Sequence, residues 1–422
     1  MKRILINLTL ILTISIVWVL ICFFGTVNGW WHSPVSNDSD PQSFAEAVDE
    51  EIQKEFVGNF AMALIKEGRI EEEVFYSEGR PVDRNTIFQV ASLSKFVSAT
   101  GVMKLQELGK IDLDTPVSRY LTRWQLPPSE FDNEQVTVRR LLSHTAGLTD
   151  GLGYSGFETP DAVQTLEASL TKAADADEGK SGVTKVGIEP NSSWVYSGGG
   201  FTLLQLLVEE TSGQPFDVFM KENVFAPLQM TQSTYKWSDS LNSELCEFYN
   251  ADDTKAPHFF YTSLAATSLY TSLADLEKFF MLFLEDNKGI TERPLSQSSL
   301  NSMQESHWGM MGEAIYGLGT FLYVEVGNDQ YIIGHDGQSN PPINTALRID
   351  PVSGDGIIIL ETGNPDLATR LASDWVFLKT GKVDTLLFTM LQGQMFNMMG
   401  VGVLLITVMV IVIAWWRKRK SN

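Results

Sequence analysis

Ala91-Ser92-Leu93-Ser94-Lys95 decides how this chain is read, because it places a hydroxyl and an amine three residues apart at the first turn of an expected helix. Positions i and i+3 share a helix face, so Ser92 Oγ and Lys95 Nζ converge on one point. A serine hydroxyl is a poor nucleophile at neutral pH, and a neighbouring lysine takes its proton only where burial or nearby cations lower the lysine pKa. The S-x-x-K spacing recurs at Ser169 with Lys172 and at Ser233 with Lys236. Only Ser92 follows a strand-like run, Thr86 to Val90, and opens an apolar helical run; the other two sit in polar surroundings and read as surface pairs.

Outward from this turn, Asn59 to Ile65 and Glu72 to Ser77 alternate as strands about a turn at Lys66-Glu67-Gly68. The helix carrying Ser92 continues to about Leu108 and stops at Gly109. From about Thr115 to Thr234 the pattern turns helical and loop-rich, and Ser272 to Leu284 adds an amphipathic helix. Strand patterns return at Leu318 to Val326, Tyr331 to Gly334, Thr345 to Ile349 and Gly356 to Glu361, before a last helix, Leu367 to Leu378. Strands at both ends with helices between predict an α/β fold of the α+β type: an antiparallel sheet flanked by helices, plus a mostly helical lobe.

The chain has 422 residues, 44% hydrophobic and 20% charged, enough to bury a large core. Its formal net charge of -21 disfavours nucleic acid, whose phosphates demand a basic stripe. Both ends are a different material. Ile4 to Phe24 is almost uninterrupted apolar sequence behind Lys2 and Arg3; Met398 to Trp416 is a second such run closed by Arg417-Lys418-Arg419-Lys420. Each is long enough for a hydrocarbon core, which takes about 20 helical residues. The second reads as a transmembrane helix with a cytoplasmic basic end. The first reads as an uncleaved anchor or a signal segment, with only Val27-Asn28-Gly29 as a cleavage site. The expected organisation is an anchor or signal segment (1–29), a linker (30–43), a folded domain (44–382), a juxtamembrane segment (383–397), a transmembrane helix (398–416) and a basic tail (417–422), with the folded domain extracytoplasmic. Cys22 lies in the first apolar run and leaves Cys246 alone in the folded part, so no internal disulfide forms there.

The blocks TIFQVASLSKFVSATGVMKLQELGKIDLDTPVSRYL (Thr86 to Leu121), VTVRRLLSHTAGL (Val136 to Leu148), WVYSGGGFTLLQLLVEETSGQPF (Trp194 to Phe216), SLYTSLADLEKFF (Ser268 to Phe280) and GHDG (Gly334 to Gly337) carry a resemblance. In this order the chain resembles the serine β-lactamase and penicillin-binding superfamily, in its class C β-lactamase-like branch, from about Phe56 to Leu378. The resemblance implies Ser92 as nucleophile, Lys95 as base and Tyr196 as the tyrosine of the family's Y-x-N motif. It also implies His335 and Gly337 as the third motif on a strand, and an oxyanion hole from the backbone N–H groups of Ser92 and Gln338. Near Lys95, the Tyr196 phenolate is expected to be stabilised so that the pair shares a proton. Glycine at 337 is expected to let substrate lie close to the strand.

Two departures bear on substrate. Gly198 stands where the motif has Asn, removing the amide that in the family contacts the substrate's acylamide. Lys379-Thr380-Gly381 matches the family's K-T-G literally, but it follows the last helix, so position assigns the third motif to His335. His144 invites a rival Ser/His/Asp triad, yet its block is a structural signature of the family. His32, His258 and His307 show no metal-ligand spacing, and no cofactor is expected. Runs such as Glu71-Glu72-Glu73 and Asp175-Ala176-Asp177-Glu178 read as solvated surface. The expected function is a membrane-anchored serine hydrolase acting on small esters, amides or D-amino acid peptides. The alternatives are a β-lactamase or penicillin-binding-like protein, and a catalytically weak envelope sensor.

Overall fold

The computed structural model describes residues 2–151, 154–284, 292–310 and 312–420. In chain order, α1 (Lys2–Val27) and α2 (Pro41–Glu55) precede β1 (Asn59–Lys66), β2 (Arg69–Ser77) and the short β3 (Phe88–Gln89). Then come α3 (Leu93–Glu107), α4 (Val138–Leu142), α5 (Leu166–Thr171), α6 (Gly198–Ser212) and α7 (Phe216–Met220), followed by β4 (Phe248–Tyr249), β5 (Lys255–Ala256), α8 (Leu264–Thr267) and β6 (Tyr270–Thr271). Helices α9 (Leu273–Leu282) and α10 (Gln297–Gln304) lead into β7 (Trp308–Met310), β8 (Glu313–Tyr316), β9 (Phe321–Gly327), β10 (Gln330–Ser339), β11 (Ile343–Ile349) and β12 (Gly356–Thr362). The chain closes with α11 (Leu367–Thr380) and α12 (Thr385–Lys420).

Among the described residues the main sheet has eight strands, in the order β2-β1-β12-β11-β10-β9-β8-β7, and every pairing is antiparallel. The N-terminal hairpin docks on β12, so strands from the two ends of the domain lie side by side next to the β2 edge of the sheet. Its turn is tight because Glu67 and Gly68 both take positive φ, 50° and 72°. Alternation along each strand sends side chains to two cores. On one face Ala61, Ala63, Ile333, Leu347, Ile349 and Leu360 pack against the helical lobe. On the other Met62, Leu64, Ile332, Ala346 and Ile359 pack against Phe44, Val48, Ile52, Leu371 and Trp375 of α2 and α11.

The α2 helix lies where the sequence reading ended a spacer at about Ser43; its buried Phe44, Val48 and Ile52 recur at helical spacing and make it part of the domain. The preceding linker is tied down as well. His32 Nε2 meets Asp374 Oδ1 at 2.7 Å, and the Val35 N–H donates to Asp374 Oδ2 at 2.9 Å. Among the described residues, two helices are long and apolar enough to cross a membrane, Ile4–Val27 and Thr385–Arg419. The stretch expected as a separate juxtamembrane segment is helical from Thr385 and runs unbroken into 398–416.

Two surface expectations fail. Asp175 is buried, and burial pushes its carboxyl up to about 6. Ser169 and Ser233 are buried too; Ser233 Oγ hydrogen-bonds Thr271 and Asp275, while Lys172 and Lys236 are exposed, so neither pair converges.

Candidate active site

The turn from β3 to α3 delivers Ser92. Ala91 sits at φ 45°, an uncommon conformation for a residue with a Cβ, and Ser92 occupies the N-cap of α3 without capping it. Its hydroxyl is therefore free of the first-turn N–H groups. Ser94 staples the turn instead, donating to the Ala91 carbonyl at 2.5 Å and accepting from Leu269 N–H at 3.0 Å. On the same helix face Lys95 Nζ lies 2.9 Å from Ser92 Oγ and donates to the Ala266 carbonyl of α8 at 3.0 Å. Lys95 is only 1% exposed, and this desolvation, opposed by the Asp150 charge, pulls the ammonium down to about 7.

Tyr196 lies on the other side of the lysine, whose Nζ sits 4.9 Å from the ring centroid, and the Ser92 hydroxyl is a hydrogen-bonding neighbour of its phenol. Burial pushes that phenol above its ordinary range, outweighing the Ser92 contact. The expected sharing of a proton between phenolate and ammonium is thereby corrected. The labile proton at neutral pH belongs to Lys95, because desolvation favours the neutral form of both groups.

His144 packs on Tyr196 with ring centroids 4.3 Å apart. Its Nδ1 accepts the Ser197 N–H at 3.1 Å, which places the proton of the neutral ring on Nε2, a buried atom without a partner among the described residues. Burial holds it well below the usual imidazole range. This arrangement leaves His144 no free lone pair for a proton from Ser92.

Strand β10 brings His335 to the same place by alternation. His335 faces Tyr196, centroids 6.1 Å apart, while Asp336 points to the opposite side of the sheet. His335 Nδ1 donates to the Asp336 carbonyl at 2.6 Å and Nε2 accepts from the Tyr316 hydroxyl at 3.3 Å; burial and then Lys95 pull the imidazole down to about 3. Asp336 forms a buried ion pair with Arg348, Nη2 to Oδ2 3.2 Å, and accepts from the Tyr323 hydroxyl at 2.7 Å.

The reason for glycine at 337 differs from the expectation. A Cβ there would strike the Val90 carbonyl, to which Thr345 Oγ1 also donates at 3.0 Å, so the glycine lets β10 close onto the turn that carries Ser92. Gln338 follows on the strand and is exposed, paired in register with Asn344. Lys379 lies at the end of α11, ion-paired with Asp355 at 2.6 Å and Asp350 at 3.2 Å, remote from this cluster in its contacts.

Asp150 escaped the sequence reading. Its Oδ1 accepts from Ser197 Oγ at 2.5 Å and its Oδ2 from Gly199 N–H at 2.8 Å; Ser197 Oγ in turn accepts from Gly200 N–H at 2.8 Å. Together they satisfy the first N–H groups of α6 and fix the helix that follows Tyr196. No motif announces this residue, since it lies in a loop and acts only once the loop closes on α6.

A family model described as Beta-lactamase matches residues 44–378. Penicillin-binding protein 4* of Bacillus subtilis is 33% identical over 173 residues, covering 41% of this chain and 36% of that protein. Protein flp of Staphylococcus aureus is 22% identical over 353 residues, covering 80% and 66%. The chain thus spans between about a third and two thirds of these relatives. Among solved structures, an octameric penicillin-binding protein homologue from Pyrococcus abyssi superimposes with a TM-score of 0.66 at 24% identity, over 82% of this chain and 78% of the other. A beta-lactamase/D-alanine carboxypeptidase from Pseudomonas syringae gives 0.64 at 17% identity, over 79% and 97%. These two likenesses speak for the fold.

Proposed function

Because the chain belongs to the Beta-lactamase family, we propose that it is a serine hydrolase working through an acyl-enzyme on Ser92, tethered to a membrane with its catalytic domain outside the cytoplasm. The observation that carries this reading is the 2.9 Å contact between Ser92 Oγ and a buried Lys95 whose pKa lies at about 7. A neutral amine is the species that can accept a proton, and burial brings Lys95 down to where that form is accessible near neutral pH.

Ser92 Oγ attacks the substrate carbonyl carbon as its proton passes to Lys95 Nζ. The backbone N–H groups of Ser92 and Gln338 receive the negative oxygen, where one such donor is typically worth about 3–4 kcal/mol. The bond to the leaving group then breaks. Its oxygen or nitrogen takes a proton delivered by Lys95, with the protonated Tyr196 phenol beside Ser92 as relay. Water attacks the ester carbonyl, gives a proton back through Lys95 and Tyr196, and releases the acid and free Ser92.

The substrates proposed are small carboxylic esters, amides or D-amino acid peptides. Simple esters are favoured over β-lactams, because His335 is neutral and Gly198 offers no amide. Penicillin binding and D-alanine carboxypeptidase action, named in the relatives, remain the alternative within enzymes. Labelling the purified protein with a serine-reactive phosphonate, in competition with esters, D-peptides and β-lactams, tests the reading. Labelling at Ser92 displaced best by a short ester supports it; no labelling, or faster turnover of a cephalosporin than of the ester, overturns it.

A further inference from the structure

Gly198 opens α6 two residues after Tyr196, and its space is already taken. A Cβ there would lie 2.7 Å from Tyr154 Cε2 and 3.3 Å from its hydroxyl oxygen. The first contact is closer than carbon atoms tolerate, and the ring cannot easily retreat. Its hydroxyl meets Thr202 Oγ1 at 3.1 Å, and Thr202 in turn meets Ser263 Oγ at 2.5 Å. The loop carrying Tyr154 is fixed on its other side by the Tyr154 bridge to Ala176 and by Ser155 N–H donating to the Asp175 carbonyl at 2.7 Å. Asp150 lies nearby in sequence; its charge acts on Lys95 and its carboxylate holds Ser197 and Gly199. Tyr154 is half-buried and keeps an exposed surface.

We propose that Tyr154 is a specificity-determining residue of the cleft: its ring fills the place of a side chain at 198 and forms the wall against which the substrate's acyl group lies. This rests on the serine hydrolase reading and deepens it. An aromatic wall offers apolar contact, and its one hydroxyl is engaged by Thr202, so the acyl part meets no free amide. An acylamido substituent placed there would lose its water without finding a partner, a penalty that selects against it. The substrate class follows as esters of apolar acyl groups that lack an acylamido substituent.

The test uses the full-length protein in detergent and two p-nitrophenyl esters, of butyrate and of N-acetylalanine, with phosphonate labelling of Ser92 run in parallel. The wild type is expected to favour the butyrate ester in kcat/KM. Gly198→Asn alone collides with the ring and lowers both rates. In the pair Tyr154→Ala with Gly198→Asn, the ratio of N-acetylalanyl to butyryl kcat/KM rises about tenfold, the size of one hydrogen bond. An unchanged ratio in the pair, with Ser92 still labelled, overturns the assignment of Tyr154 and leaves the hydrolase reading standing. Absence of labelling in the wild type overturns the hydrolase reading itself. Should the paired variant fail to fold by circular dichroism, Tyr154→Ala alone is read with p-nitrophenyl octanoate against the butyrate ester; removing the wall should raise the octanoyl to butyryl ratio of kcat/KM, and no change there is equally fatal.

Discussion

Lys95 has one charged influence acting on it from across the loop, Asp150, which opposes the desolvation that would otherwise lower the lysine further. The sign of a pH effect follows. Below about 7 the lysine is an ammonium and cannot take the Ser92 proton, so kcat/KM should rise with pH through about 7 and then level. Replacing Asp150 by Asn removes a charge that favours the ammonium form, and the acid limb should move to lower pH. A limb that stays in place or moves upward in Asp150→Asn would show that Lys95 is not the titrating base.

Ser92→Ala should abolish turnover and phosphonate labelling while the thermal transition stays near that of the wild type, because the change deletes one hydroxyl from a position that caps nothing. Lys95→Ala should be almost as damaging, since members of one catalytic unit fail together. Tyr196→Phe should lower kcat by about 100-fold or more, as expected for loss of a proton relay, with a smaller change in KM. Residual labelling in Ser92→Ala would sink the nucleophile assignment.

His144→Ala separates a supporting role from a triad. The variant loses the ring stacked on Tyr196 and leaves the Ser197 N–H without its acceptor, a buried donor worth about 1–3 kcal/mol when unpaired. A lowered unfolding midpoint in a urea titration, with Ser92 still labelled, is the expected result. Loss of all labelling in a variant that remains folded would restore the histidine-based triad.

Most of the sheet was legible because its inner strands are short apolar runs, such as Asn59–Lys66 and Gly356–Thr362, bounded by Gly and Asn turns. The Glu67-Gly68 turn and the last strand, read as Gly356 to Glu361, lie where the residues suggest, whereas the strand read as Tyr331 to Gly334 continues through His335 and Gly337 to Ser339. Helix α2 was missed because acidic and amide residues dominate Pro41–Glu55, and its apolar stripe of Phe44, Val48 and Ile52 is narrow. Strands β7 and β8 are short and their pairing is irregular beside Gly309, leaving little alternation to read. At the site, Ser92 and Lys95 are local in sequence, so their convergence could be derived from helix geometry. Asp150, Tyr154 and Thr345 act across long loops, and no spacing rule connects 154 to 198 or 345 to 90. Gly337 was legible as an identity but not as a reason, since its neighbour is the Val90 carbonyl, far away in sequence just after β3.

Arg348 is fully buried on the face of the sheet opposite His335, stacked over the Tyr323 ring at 3.7 Å and paired with Asp336. Asp384, buried and with its carboxyl raised by desolvation, also acts on Arg348 while its Oδ1 accepts the Leu386 and Leu387 N–H groups at the start of α12. Arg348→Met strands Asp336 in the core, and breaking one side of a buried pair typically costs about 3–5 kcal/mol. Chemical denaturation should show a loss of that size. A change under about 1 kcal/mol would mean that the pair is solvated in the working protein.

The two terminal helices pack on each other in opposite directions, which makes a prediction about the membrane. Phe23 lies beside Phe388, ring centroids 6.4 Å apart, and five residues earlier Trp18 Nε1 donates to the Met398 carbonyl at 3.0 Å. As α1 is followed backward, its partner on α12 is followed forward, so both termini lie on one side. In the membrane-tethered arrangement proposed above, the basic residues Lys2, Arg3 and Arg417 to Lys420 would put that side in the cytoplasm. Reporter fusions after Asn422 should read cytoplasmic and insertions within Trp30 to Ser43 external. A cysteine pair at Phe23 and Phe388 should cross-link in membranes. Gly402 lies directly under the Trp18 indole, where a Cβ would collide with the ring, so Gly402→Leu should weaken that cross-link by forcing the helices apart. An externally accessible C-terminal tail would sink the topology, and a mature chain beginning near Trp30 would remove α1 from the membrane and leave α12 as the sole anchor of the two.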